Sequence, residues 1–243
     1  MPLSPGVVYS PVVTSIISGI SKVAADLLFP PQCALCDAGG TLLCAACAES
    51  LPPADGPRCG RCWMPAAGAA ICRHCIDAPP AFSSIRAAYV MDAGARRLAH
   101  ELKYDGLTSL AGPMAHLMHA AVEVNGIDLV TAVPLHRGRE RSRGFNQAHE
   151  LARRFAALAA VPSDGRAVKR TRDTEPLAKT MHREERRAIV ARAFAARRER
   201  VEGRRILLID DVVTTGATLD SCSRALLDVG AKDVRCVTWA RAD

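Results

Sequence analysis

The sequence predicts an α/β protein: a parallel sheet flanked by helices, preceded by a small cysteine-rich module. Three observations predict it. Beyond Pro80, short apolar runs alternate with stretches of helical periodicity, and strand–helix–strand order implies right-handed crossovers and parallel strands. Of ten cysteines, eight fall between Cys33 and Cys75, all in Cys-x-x-Cys pairs. Finally, RRILLIDDVVTTGATLD (204–220) runs four apolar residues, Ile206 to Ile209, into two adjacent carboxylates and a Thr/Gly-rich turn. Ligands of parallel sheets sit at that end of a strand.

Taken in order, Ser15 to Leu28 has apolar residues at helical spacing and stops at Pro30-Pro31, as expected of a short amphipathic helix. Lys22 and Asp26 interrupt its apolar stretch, so a membrane span is not expected. Neither a basic stretch before an apolar segment nor a cleavage site after one is present, which predicts a cytoplasmic protein. Strands are predicted at 83–91, 128–133, 167–171, 206–209 and 234–239. Helices are predicted at 94–102, 110–124, 145–159, 183–190 and 219–229, with a basic loop before the third of them. This divides the chain into an N-terminal helix (1–30), a cysteine module (31–80) and an α/β domain (81–243). Aromatic residues make up only 4% of the chain, so its core must rest on Ala, Val, Leu and Ile.

The cysteine spacing is Cys33-x2-Cys36-x7-Cys44-x2-Cys47, then Cys59-x2-Cys62-x9-Cys72-x2-Cys75. Two Cys-x-x-Cys turns supply four thiolates, a closed tetrahedral set for Zn²⁺ with no open position for catalysis. Two structural zinc sites are expected. Thioredoxin-like redox pairs need a strand–helix context that is missing here. Short internal loops favour pairing neighbours, Cys33/Cys36 with Cys44/Cys47 and Cys59/Cys62 with Cys72/Cys75. Cross-braced pairing needs longer closures but stays open. His74 is expected to face solvent, and the isolated Cys222 and Cys236 to pack in the core.

Charge is uneven: residues 1–80 carry −1 and 81–243 carry +8, which together give the net +7. That excess suits polyanionic partners as well as a soluble basic surface. HRGRERSRG, Arg183 to Arg187 and Arg197 to Arg205 form the basic segments. The second mixes in Glu184 and Glu185, which favours a solvated helical face. A track for single-stranded DNA would add aromatic platforms, and the candidates are Trp63, Tyr89, Tyr104, Phe145 and Phe194.

The acidic doublet has a specific chemical use. Thr214, Thr215, Gly216, Ala217 and Thr218 direct backbone N–H groups and hydroxyls to one spot at a helix N-terminus, which suits a phosphate. Ionised Asp210 and Asp211 only accept hydrogen bonds, which suits vicinal hydroxyls. Phosphate beside diol describes a ribose 5-phosphate.

ILLIDDVVTTGAT (206–218) resembles the phosphoribosyl-diphosphate (PRPP) loop of type I phosphoribosyltransferases. Together with the cysteine module, PLHRGRERSRGFNQA (134–148) and ELKYDG (101–106), it makes the chain resemble the ComF family of competence proteins over roughly residues 25–240. The resemblance implies a type I phosphoribosyltransferase fold with Asp210 and Asp211 on the ribose hydroxyls and Thr214 to Thr218 on the 5-phosphate. Arg137, Arg139, Arg141 and Arg143 would lie near the diphosphate, Lys103 matches a basic family position, and Mg²⁺ would accompany PRPP. It also implies a role in handling single-stranded DNA, with DNA-uptake partners such as a helicase-like ATPase. Thr214 stands where purine-salvage members place an acidic general base. Leu177 and Ile189, in a segment matching the family's mobile hood, stand where the family often has Gln and Asn. The rival expectations are an active phosphoribosyltransferase and a PRPP-sensing regulator.

Overall fold

The computed structural model describes residues 30–68, 70–104, 107–171 and 193–242. The helices expected at 15–28 and 183–190, the basic stretch 183–187, and Leu177 and Ile189 lie outside the described residues. In chain order the elements are α1 (Ala45–Glu49), α2 (Arg73–Asp77), β1 (Ser84–Val90), α3 (Ala93–Tyr104) and a 3-10 turn (Thr108–Leu110). There follow α4 (Ala111–Ala121), β2 (Leu129–Ala132), α5 (Arg137–Arg143), α6 (Gln147–Leu158) and β3 (Val168–Arg170). The chain continues through β4 (Phe194–Ala196), α7 (Arg198–Val201), β5 (Arg205–Val213), α8 (Ala217–Asp228) and β6 (Asp233–Arg241).

The main sheet has the order β1-β6-β5-β2 and is parallel throughout. Its central strands are covered on both faces, which is why 206–209 reads as an unbroken apolar run. Alternation assigns the two faces. Leu207 and Ile209 pack with Val237 and Trp239 under α3, α4 and α6. Ile206 and Leu208 pack with Val234 and Cys236 against Leu219, Cys222 and Leu226 of α8. The antiparallel pair β3–β4 adds Val168 and Phe194 to this second layer. Both isolated cysteines are buried, as expected.

Two expectations are corrected. The basic loop after β2 contains a helix, α5, closed by Gly144 in the left-handed conformation (φ 83°). Glycine meets that requirement without steric cost, and its N–H caps the Glu140 carbonyl at 2.8 Å. The predicted strand 206–209 also runs on to Val213, so both aspartates lie inside β5 rather than after it. Pairing with β6 continues through Asp210↔Thr238 to Val213↔Arg241, and backbone pairing with a neighbour is a reward that side-chain hydropathy does not reveal.

Candidate functional site

The eight cysteines form two clusters, Cys33/Cys36/Cys44/Cys47 and Cys59/Cys62/Cys72/Cys75, and within each every sulfur lies within 4.8 Å of the others. Neighbouring pairs therefore come together, as the short loops favoured. The two halves are near copies. Cys33 N–H donates to Ala38 and Asp37 N–H to Cys33; Cys59 N–H donates to Met64 and Trp63 N–H to Cys59. Asp37 and Trp63 both adopt positive φ, 60° and 62°. Cys44 and Cys72 each start a one-turn helix and point N–H groups at Cys33 Sγ (3.4 Å) and Cys59 Sγ (3.3 Å).

This donor set fits zinc. Burial desolvates the Cys33 thiol and raises its pKa, but backbone N–H groups of Cys44, Leu35 and Cys36 outweigh that and bring it down to about 6. Cys59 also settles at about 6, through the backbone of Cys62, Cys72 and Arg61. The thiols of Cys44 and Cys36 push Cys47 up to about 12. Four sulfurs this close ionise together only around a cation, and four thiolates around Zn²⁺ supply folding energy rather than catalysis.

At the other centre, Asp211 is buried (5% exposed) and Asp210 half-buried. Lys103, in the last turn of α3, makes an ion pair with Asp211, and the Asp211 N–H donates to Asp210 Oδ1 at 2.9 Å. Desolvation, then the adjacent Asp211 charge, hold the Asp210 carboxyl well above the usual carboxylate range. Lys103 thus neutralises one carboxylate and leaves its neighbour receptive to a cation or a proton. Beyond Val213, Thr214 and Thr215 are exposed, and Gly216 (φ 77°) starts α8 with no side-chain cap at its N-cap position. The exposed turn therefore offers backbone N–H groups to an anion.

The arginines of 137–143 do not converge. On a helix, residues two apart point some 200° away from each other, so Arg137 and Arg141 share one face while Arg139 and Arg143 share another. Arg143 donates to Gln147. Arg137 lines a separate cleft of about 980 Å³ with Arg166, Lys169, Arg170, Arg197, Arg200 and Arg204. The run 197–205 is likewise divided. Arg198 pairs with Glu202, Arg200 with Asp164 and Arg205 with Asp128, which leaves Arg197 and Arg204 to the cleft. The Arg205 guanidinium holds the Asp128 carboxyl far below its usual range. No Phe, Tyr or Trp of the described residues lines the cleft. Tyr89 packs on Trp239 at 4.8 Å, and Trp63 lies under Arg86 at 4.3 Å.

Sequence reasoning missed Asn146 and Arg241. Asn146 is buried; its side chain donates to the Val133 carbonyl (3.1 Å) and accepts from Ala148 N–H (2.9 Å), tying the end of β2 to the start of α6. An Asn one residue before a helical pattern is a cap signal. Arg241 carried no local signal, because its partners lie far away in sequence.

Comparison with known proteins follows the same division. The double zinc ribbon domain family matches residues 24–76, and the phosphoribosyl transferase domain family matches residues 141–242. DNA utilization protein YhgH of Escherichia coli K12 is 29% identical over 224 residues, covering 86% of this chain and 96% of the relative. Competence protein F of Haemophilus influenzae is 26% identical, with 82% and 90% covered. Competence protein ComFC of Bacillus subtilis is 27% identical, with 82% and 84% covered. The chain is thus similar, over most of its length, to proteins named for competence and DNA utilization, and it carries both domains. Among solved structures, a Bacillus subtilis glutamine PRPP amidotransferase aligns at 19% identity over 58% of this chain and 30% of that protein, with a TM-score of 0.41. An adenine phosphoribosyltransferase from Thermoanaerobacter pseudethanolicus aligns at 16% over 55% and 69%, with a TM-score of 0.36. Among the described residues, no helix is long and apolar enough to cross a membrane.

Proposed function

We propose that this protein handles single-stranded DNA in a competence-type process and carries a binding site for a phosphoribosyl ligand, PRPP or a relative of it. The curated relatives named for competence and DNA utilization support the first part. The observation that carries the second is the half-buried Asp210 beside the Lys103-paired Asp211, directly ahead of the open turn Thr214–Thr218.

In this reading Asp210 and Asp211 accept the ribose hydroxyls, and the turn's N–H groups and hydroxyls take the 5-phosphate. Lys103 lies against Asp211 and offsets the negative charge of that side chain. Mg²⁺ bound with the diphosphate supplies charge neutralisation. The protein's own contribution is position and fixed dipoles, with no side-chain nucleophile required. Residues 1–30, 31–80 and 81–243 are proposed as the helical, zinc and phosphoribosyltransferase-like parts, of a protein working in the cytoplasm. DNA-uptake proteins such as a helicase-like ATPase are the proposed partners.

For DNA, the basic cleft is the favoured surface. Of its seven cations, Arg137, Arg166, Lys169, Arg197 and Arg204 make no side-chain hydrogen bond or ion pair among the described residues, against Glu140, Asp164 and Glu199. Without aromatic platforms, recognition there rests on phosphates and is blind to sequence.

Calorimetric titration of PRPP with Mg²⁺ tests the first site against Asp210→Ala/Asp211→Ala. Binding to the wild type that the double variant loses is expected; equal binding, or none to either, rejects the assignment. Diphosphate release with a panel of acceptors then separates an active transferase from a protein that only binds.

A further inference from the structure

The turn Thr214–Thr218 is held by more than its own strand and helix. The register of β5 on β6 sets Arg241 opposite Val213, one residue from the turn. Arg241 is 1% exposed, and its guanidinium reaches in two directions. One nitrogen donates to the Thr214 carbonyl at 2.9 Å and also touches Met64 Sδ; the other donates to the Cys62 carbonyl at 2.8 Å. Cys62 belongs to the second cysteine cluster. A single buried side chain therefore joins the backbone of a zinc ligand to the first residue of the turn.

Other contacts run the same way. Asp220, in the first turn of α8, accepts from Ala81 N–H at 2.6 Å. Ile85 N–H donates to the Arg61 carbonyl, and Arg86 donates to the Gly60 carbonyl, both inside the Cys59–Cys62 knuckle. A Cβ on Gly216 would meet Ile85 at 3.5 Å and Phe82 at 3.8 Å. The first cluster is attached elsewhere. Arg97 of α3 contacts Leu35 and Asp37, and Leu43 and Leu51 join the core beneath that helix.

We propose that the second zinc site is the support of the phosphate turn, with Arg241 as the positioning residue that transmits the Cys62 backbone geometry to Thr214. A Cys-x-x-Cys knuckle takes one geometry when its four thiolates share a metal, and loses it otherwise. A planar guanidinium passes that geometry on, because its donors form a rigid fork. Buried donors cannot exchange a carbonyl partner for water without penalty. Zinc at Cys59/Cys62/Cys72/Cys75 thereby sets the conformation of Thr214–Thr218, and zinc at the first cluster does not. The consequence for ligand affinity rests on the phosphoribosyl reading of this turn; the support itself does not.

The test uses the full zinc-loaded chain and two readouts, amide hydrogen exchange and calorimetry with PRPP and Mg²⁺. Arg241→Gln and Cys72→Ser are expected to speed exchange at 214–218 and to weaken PRPP binding by roughly tenfold, the worth of one charge-assisted hydrogen bond. Amides at 206–209 should stay protected, which separates positioning from general destabilisation. Cys44→Ser, at the first site, should change exchange within 33–47 and leave 214–218 as in the wild type. Equal loosening of the turn by Cys44→Ser and Cys72→Ser overturns the proposal, as does Arg241→Gln exchange at the wild-type rate. If Cys72→Ser does not fold, Arg241→Gln and Arg241→Lys still decide, with Lys, lacking the fork, expected to fail like Gln. Selective loosening of 214–218 without PRPP binding to any variant supports the strut and rejects the phosphoribosyl reading.

Discussion

At the residue scale, Asp210 carries the most information. Its carboxyl lies well above the usual carboxylate range because burial desolvates it and Asp211 stands beside it, with Lys103 opposing weakly. An acid raised in the folded state contributes stability in full below its unfolded pKa, near 3.9, and loses that contribution as pH rises through the folded value. Asp210→Asn should therefore melt higher than the wild type at pH 8, with the gap closing toward pH 4, as followed by thermal unfolding. The same substitution should abolish PRPP binding. A cationic or diol ligand favours the ionised form, so wild-type binding should release protons and tighten as pH rises. Calorimetry in buffers of different ionisation enthalpy measures that release. A carboxylate that costs stability and is still present fits a binding role rather than a structural one. Asn146 is the opposite case: Asn146→Ala should cost about 1–2 kcal/mol in chemical denaturation, through removal of the α6 cap.

At the element scale, the secondary structure sorts charges that look equivalent in the sequence. In α5 the helical turn sends Arg137 and Arg143 to different partners, and in α7 an i,i+4 pair ties Arg198 to Glu202. Among the described residues, the basic runs therefore divide between a cleft and ion pairs rather than forming a continuous track. Charge reversal at Arg197 and Arg204 together should weaken single-stranded DNA binding at every sequence tested. The slope of log affinity against log salt should shrink by about 1.4, at roughly 0.7 for each phosphate the protein no longer neutralises. Reversal at Arg198 should leave the slope at the wild-type value, since that side chain is exposed and paired with Glu202. A slope unmoved by the first pair would place DNA elsewhere.

At the scale of the whole molecule, the two ribbons attach to different elements of the α/β part. The first leans on α3, which delivers Lys103; the second leans on β1 and β6, which support the turn. Metal analysis should find two zinc ions per chain, and far fewer would reject two intact four-cysteine sites. Chelation should unfold residues 31–80 while the core strands keep their exchange protection. The sheet has its own covered faces, whereas the ribbons' sulfurs depend on a metal. Trp239→Ala, which removes a fully buried ring and its bond to the Ala95 carbonyl, should cost about 3–5 kcal/mol and lower stability throughout.

The features legible in the sequence were those encoded locally. Cysteine spacing favours the thiol pairs that meet, because an intervening loop of seven or nine residues closes easily, and the structure brings those pairs together. The run 206–209 announces a strand covered on both faces, because its hydropathy records burial directly. The turn Thr214–Thr218 is readable because glycine and hydroxyl residues are few and chemically specific. Three features needed the third dimension. Strand β5 extends to Val213 because β6 pairs with it; the arginines separate because helical geometry turns them apart. Arg241 joins ribbon to turn because register brings together residues 27 and 179 positions distant. Sequence by itself determined the chemistry present: eight paired thiols, two adjacent carboxylates and a Thr/Gly-rich turn. Only the tertiary structure decided which charges remain unpaired and which ribbon holds the turn, since both depend on segments far apart along the chain meeting in space.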